Sequence, residues 1–279
     1  PLVGAVEESA VDCSHPWFRL APSAKALGEA LAKQMRSHQV ERAALLEGEG
    51  AYNRAIANSV AARFQSLGGL VVERGTLTDG AQSYVDVLAP VAASHADAVV
   101  LAASPLSGAL LINESSVLGR NATQWYLSPL LKTDLFLQNV DPSRVEGALG
   151  VAPKIYEQKG AFPADFAHRW QGDQPLEGAY FYYDAVALVG LALQRTSLAN
   201  SGTFDYENVE ASILAVAGAE GESKGWDELE DALARQRDGA RVHYSGLTGP
   251  LLLGRCGDRR LGVTTVWSVA EGRVVEETK

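Results

Sequence analysis

Few residues in this chain have the types and spacing that bond-making chemistry needs. The run Gly48-Glu-Gly-Ala-Tyr52 is a glycine-rich turn of the sort that can cradle a phosphate at a helix N-terminus. The acids Glu47 and Glu49 stand beside it and would repel that phosphate, which argues against a nucleotide. Cys13-x-His15 is half of a metal site, but the other histidines, His38, His95, His168 and His243, are dispersed, so a loop thiol and a surface imidazole is the plainer reading. Glu7-Glu8 could exchange protons or hold a cation, yet no partner for the pair can be named. Asp227-Glu-Leu-Glu-Asp231 reads as a solvated helix face, and Asn113-Glu-Ser115 and Asn121-Ala-Thr123 as chance matches to the glycosylation pattern. G-x-S-x-G, H-E-x-x-H, the P-loop and G-x-G-x-x-G are all absent. With no nucleophile–base pair, no metal set and no cofactor motif, no catalytic residue is assigned and an enzyme is not expected.

Composition narrows the class further. The chain has 279 residues, 47% of them hydrophobic, which is enough for one large or two medium cored domains and too apolar for a disordered chain. Its net charge of −10 repels phosphate backbones, and the one basic cluster, Arg255 with Arg259-Arg260, is offset by Asp258, so no nucleic acid is expected as a partner. No apolar run reaches the roughly 18 residues of a membrane span. Cys13 and Cys256 leave a disulfide, buried thiols and free thiols all open. The chain opens on Pro1 and its single methionine is Met35, so the natural start is expected upstream.

The elements that would position a site alternate in type. Helical spacing of Leu27, Ala30, Leu31, Gln34 and Met35 predicts a helix over 23–38. Strands are expected at 42–47, 70–74, 97–102, 124–127 and 147–151, with helices at 52–67, 82–94, 107–118 and 131–138 between them. This β-α-β alternation predicts a doubly wound α/β layer with a parallel sheet. Residues 161–236 read as helices at 162–170, 180–195, 208–216 and 227–236 with no clear strand; Tyr180 to Tyr183, at the head of the second, reads as core. Short strands at 251–253, 261–269 and 273–275 predict an antiparallel C-terminal meander, with a turn at Glu271-Gly272. In such open sheets, ligands sit outside the carboxyl ends of the strands. Those ends carry Glu47 to Tyr52, Ala103 to Pro105 and Leu127 to Pro129, so Tyr52, Ser104 and Ser128 are candidate ligand contacts, with surface packing (Tyr52) and helix capping (Ser104, Ser128) as the competing roles. Trp125 and Tyr126 are expected in the core.

Several segments, in order, resemble the type I periplasmic solute-binding proteins, in particular the branched-chain amino-acid (Leu/Ile/Val) receptor group of ABC transporters. They are Trp17-Phe-Arg-Leu-Ala-Pro-Ser23, Ala44-Leu-Leu-Glu47 with Tyr52, Leu67-Gly-Gly-Leu-Val-Val72, Ala96-Asp-Ala-Val-Val-Leu101, Tyr183-Asp-Ala-Val-Ala-Leu188, Tyr244-Ser-Gly-Leu-Thr-Gly249 and Gly257-Asp-Arg259. The resemblance implies two doubly wound, Rossmann-like or flavodoxin-like α/β lobes joined by a hinge. Residues 1–39 and 176–244 would form the N-terminal lobe, and residues 40–175 and 245–279 the C-terminal lobe. Pro1-Leu-Val-Gly4 resembles a strand already inside the first lobe, so that lobe is expected to be incomplete; a separate N-terminal fragment is one way to complete it.

The resemblance also implies a site. Tyr52 matches the family's cleft tyrosine, and Ser104 and Pro105 match the cleft residues after a later strand. Glu49 lies beside them. Pro129 stands about where the family places the acid that holds the ligand ammonium, and Glu7 and Glu8 stand near its carboxylate-binding hydroxyl. A carboxylate there repels a ligand carboxylate, so a cationic, neutral polar or aromatic ligand suits the site better than a plain α-amino acid. The implied function is an extracytoplasmic receptor of an ABC-type uptake system that closes two lobes on a small amino-acid-like, polar or aromatic ligand. Its partner would be a membrane permease or a sensor, and its location the periplasm, with lipid anchoring through a missing N-terminus. The alternative is an envelope interaction or regulatory module that uses the same fold without a small ligand.

Overall fold

The computed structural model describes residues 17–118, 124–156, 160–199, 204–254, 257–259 and 264–276. Up to Pro153 the elements are α1 (Ala24–Ser37), β1 (Arg42–Gly48), α2 (Ala51–Ser66), β2 (Leu70–Leu77), α3 (Val85–Ala93), β3 (Ala98–Ala102), α4 (Pro105–Asn113), β4 (Gln124–Leu127), α5 (Asp134–Asn139), α6 (Pro142–Val145) and β5 (Leu149–Pro153). After it come α7 (Phe162–Arg169), α8 (Glu177–Ala199), α9 (Tyr206–Val216), β6 (Glu222–Lys224), α10 (Leu229–Arg237), β7 (Val242–Gly246), β8 (Gly249–Pro250), β9 (Thr264–Ala270) and β10 (Arg273–Glu276). Among the described residues, no helix is long and apolar enough to cross a membrane.

Two compact units result. The first comprises residues 23–153 and 264–276 of those described. Its sheet has the order β2-β1-β3-β4-β5-β9-β10, parallel from β2 to β5 and antiparallel at β5–β9 and β9–β10. Alternation along each strand sends side chains to two helix layers. Ala43, Leu45, Val100 and Tyr126 pack with Leu31 of α1 and Phe64 of α2. Leu46, Val99, Leu101 and Trp125 pack on the other face with Leu88 of α3 and Ile112 of α4. Trp125 and Tyr126 are thus both core, on opposite faces, and burial pushes the Tyr126 phenol up to about 12. Trp267 of β9 lies flat over β5: a Cβ added at Gly150 would stand 2.3 Å from its Cε2.

The second unit comprises residues 17–22 and 154–259 of those described. Helices α7 to α10 surround a sheet of order β6-β7-β8, with β6 parallel and β8 antiparallel to β7. Its centre is the carboxylate of Asp184 on α8, which is fully buried. Oδ1 accepts the Tyr244 hydroxyl (2.9 Å) and the Leu247 N–H (2.8 Å); Oδ2 accepts the Thr248 N–H (2.9 Å) and hydroxyl (2.6 Å). A Cβ on Gly246 would stand 2.2 Å from Oδ1, so glycine is required where β7 passes the carboxylate. Arg259 donates to Thr248 Oγ1 (3.1 Å), to the Pro250 carbonyl (2.8 Å) and to the Leu20 carbonyl (3.2 Å). Burial pulls the Arg259 guanidinium down to about 10 against the attraction of Asp184. Burial lifts the Asp184 carboxyl above the usual aspartate value, against the pull of its four donors.

Several expectations change here. The compact units change at 22/23, at 153/154 and between 259 and 264. Helix α1 packs on α2 so closely that a Cβ on Gly28 would stand 2.6 Å from Ser59 Cβ, which places it with the seven-stranded sheet. Helix α7 stands with the other unit because Phe162 rests on Tyr180 and Trp226, 5.1 and 5.4 Å between ring centroids. A strand, β6, does occur within 161–236: Glu222-Ser-Lys224 is polar but pairs with β7. Residues 251–253 form no strand beyond a single bridge from Leu253 to Arg259, because Leu252 takes a φ of 34° that breaks extension. The meander reduces to the β9–β10 hairpin, turned at Glu271-Gly272 and continuing the main sheet rather than standing apart. Of Tyr180 to Tyr183, Tyr180 and Phe181 are buried while Tyr182 is exposed. Cys13 and Cys256 lie outside the described residues.

Asp184→Ala should leave four buried donors unpaired and lower the unfolding free energy by about 3–5 kcal/mol, read by urea denaturation. Gly150→Ala should force Trp267 out of its place and cost about 1–3 kcal/mol in the same assay.

Candidate functional site

The sheet order of the first unit creates one special position. β1 connects outward to β2, whereas β3 lies on its other side, so the turns after β1 and β3 diverge at their carboxyl ends. These turns meet closely at their base. A Cβ on Gly48 would stand 3.3 Å from Ala103 Cα and 3.2 Å from Asn53 Nδ2. Asn53 is 5% exposed; its Nδ2 donates to the Glu49 carbonyl (3.1 Å), and its Oδ1 has no partner among the described residues.

Tyr52 is the second residue of α2 and is half-buried against the α1–α2 core, so the packing role has a physical basis there. Glu49 is exposed in the turn before it, and Glu47 pairs with Arg74 (2.8 Å). Ser104 and Pro105 open α4 as its N-cap and first residue. The Ser104 hydroxyl does not cap the helix; it donates to Asp79 Oδ1 (2.9 Å), as does the Ser107 hydroxyl (2.8 Å). Ser128 follows β4; its N–H donates to the Leu101 carbonyl (3.0 Å), while its hydroxyl is fully buried, caps nothing and has no partner among the described residues. Pro129 starts a short 3₁₀ turn and is buried. Glu7 and Glu8 lie outside the described residues.

The structure therefore places Glu49 and Asn53 at the turn and first helical residues after β1, Ser104 and Pro105 at those after β3, and Ser128 at the end of the strand next to β3. Sequence reasoning missed Asp79, Ser107 and Asn53. Asp79-Gly80 is a turn signal just beyond β2, but the end of that strand was not among the ends considered. Asn53 stands four residues after Glu49 and looked like ordinary helix interior. Among the described residues, no group of three or more His, Cys, Asp or Glu could hold a metal ion.

The family model described as periplasmic binding protein matches residues 1–231. Comparison with curated proteins finds no match. Among solved structures, a leucine-binding protein of Thermotoga maritima is similar over 94% of this chain and 67% of its own, at 19% identity and a TM-score of 0.70. A solute-binding protein from R. palustris, in complex with benzoate, is similar over 93% of this chain and 64% of its own, at 15% identity and a TM-score of 0.67. An extracellular ligand-binding receptor of Rhodopseudomonas palustris HaA2 covers 94% and 70%, at 15% identity and 0.67. The chain thus spans about two thirds of the length of these proteins, and identities this low speak to the fold alone.

An unpaired buried hydroxyl is a cost in the ligand-free protein. Ser128→Ala should raise the unfolding free energy by about 1 kcal/mol, seen as a higher melting temperature.

Proposed function

This chain belongs to the periplasmic binding protein family, and on that premise we propose that it is the ligand-capturing receptor of an ABC-type uptake system. It takes a small polar ligand at the carboxyl end of the seven-stranded sheet. One observation supports this most: the sheet order makes the turns after β1 and β3 diverge at their carboxyl ends, and small and polar residues, Gly48, Glu49 and Ser104, stand at those ends. Receptors of this family bind solutes and make no bond. Binding energy shifts a conformational population, and a membrane permease or sensor reads the liganded form. Closure of two lobes on the ligand and a periplasmic location belong to the same proposal.

An interaction role with another protein is favoured instead by a separate feature of the second unit. Helix α8 leaves Tyr182, Val186 and Leu193 exposed, Val186 at 74%. Beside them Phe162, Phe166, Trp170 and Trp226 line an open groove of about 500 Å³. Exposed apolar surface of this kind suits a polypeptide partner.

A thermal-shift panel of amino acids, amines, amides, sugars and aromatic acids separates the two. The receptor role predicts a rise of several degrees with one chemical class, because a ligand that binds only the native state stabilises it. No shift from any class, with the protein folded by circular dichroism, would favour the interaction role.

A further inference from the structure

We propose that the outward face of α8 is where two copies of this chain meet, α8 packed antiparallel on α8 about a two-fold axis. The proposal names the polypeptide that this face suits and stands apart from the receptor role. Residues 178–194 include a single residue of charged type, Asp184, and it is buried. A helix this apolar on every side is ordinarily covered on every side. Yet Tyr182, Val186, Gly190 and Leu193 recur at helical spacing along an exposed stripe. A Cβ on Gly190 would meet nothing within 4 Å, so that turn of the helix is open to close approach.

Shape and charge both favour a second copy over an unrelated protein. A two-fold contact needs one patch that carries its own complement. Here Tyr182, Val186 and Leu193 project, and grooves flank them. One groove, of about 500 Å³, lies between α7 and α8. The other, of about 290 Å³, is lined by Gly190 and Leu191 of α8 and by Leu229 and Leu233 of α10. Tyr183 and Val186 line both. The charges separate along the same face. Asp165 lines the first groove and Asp227 follows Trp226 there, with Arg169 as the cation on that side. Burial and the charges of Asp184, Asp227 and Asp165 push the Tyr183 phenol up against the pull of Arg169, so acids prevail at this end. The Trp226 ring stands 6.2 Å from that of Tyr183. From there α10 leads through Leu229 and Leu233 to the exposed Arg237, each four residues after the last and so on one stripe. Asp238, the helix cap, lies off that stripe. Antiparallel pairing of α8 therefore sets the acidic end of each copy against the partner's Arg237, twice by symmetry.

Sedimentation equilibrium of the full chain over roughly 1–100 μM tests this, with folding checked by circular dichroism. The expected species is a dimer of twice the chain mass. Val186→Glu changes an exposed side chain, so it should leave the fold intact while raising the dimer dissociation constant about 10-fold or more. Arg237→Glu should weaken the dimer about 10-fold, and adding Asp165→Arg should restore it, because the exchanged charges face each other across the two-fold. An Arg237 with a merely structural role would show no such restoration. A folded chain that stays monomeric over this range would overturn the proposal and leave the face to a different polypeptide. A dimer indifferent to Val186→Glu, a dimer that the charge exchange does not restore, or open-ended aggregates in place of a closed pair would overturn it as well. None of these outcomes bears on ligand binding in the thermal-shift panel, so this proposal and the receptor role fail separately.

Discussion

A single buried carboxylate organises the second unit. Asp184 has been taken out of water, which opposes its charge, and four donors from β7, the turn after it and β8's approach compensate. Thr248 relays this to Arg259, whose guanidinium in turn ties the Leu20 and Pro250 carbonyls. Helix α8, strand β7, the 257–259 segment and the 17–22 segment therefore meet at one polar knot inside an otherwise apolar core of Phe18, Phe181, Leu188 and Tyr244. Such a knot has one satisfied geometry and few alternatives, because any displaced member leaves a buried partner unpaired.

That knot also explains the short segments that carry the family resemblance in this half of the chain. Trp17 to Leu20, Tyr183-Asp184, Tyr244 to Gly249 and Gly257 to Arg259 are distant in sequence and adjacent in space. Their residue types answer to mutual hydrogen bonding and to the close pass at Gly246. The first unit divides its work differently. Its core is two apolar layers with, among the described residues, no comparable polar centre, and the sheet order forces two turns apart at the strand ends.

The alternation from β1 to β5 was legible because the inner strands are covered on both faces and so are nearly continuous in apolar residues, Ala98–Ala102 most clearly, while the edge strand β2 is marked by Leu70-Val-Val72 after a helix-ending Gly68-Gly69. β6 was not legible: three polar residues become a strand only because β7 lies alongside. The pair Leu251 and Leu253 looked like a strand because both are buried, but burial there is reached through a left-handed turn at Leu252. Ser104 was visible as a strand-end hydroxyl. That its hydroxyl serves Asp79 rather than the helix was not, since the two stand 25 residues apart.

By itself the sequence determined the fold class, the alternation of strands and helices from β1 to β5 and the absence of the known catalytic motifs, because periodicity, turn residues and motif spacing are local properties of a chain. Tertiary structure alone decided which strand ends are neighbours, that Asn53 and Ser128 keep atoms unpaired among the described residues, that Asp79 is anchored by two serines, and that α1 and α7 stand with the units they do. Each of these depends on what packs against what across many residues, and desolvation, close approach and hydrogen-bond pairing have no value until that packing is set.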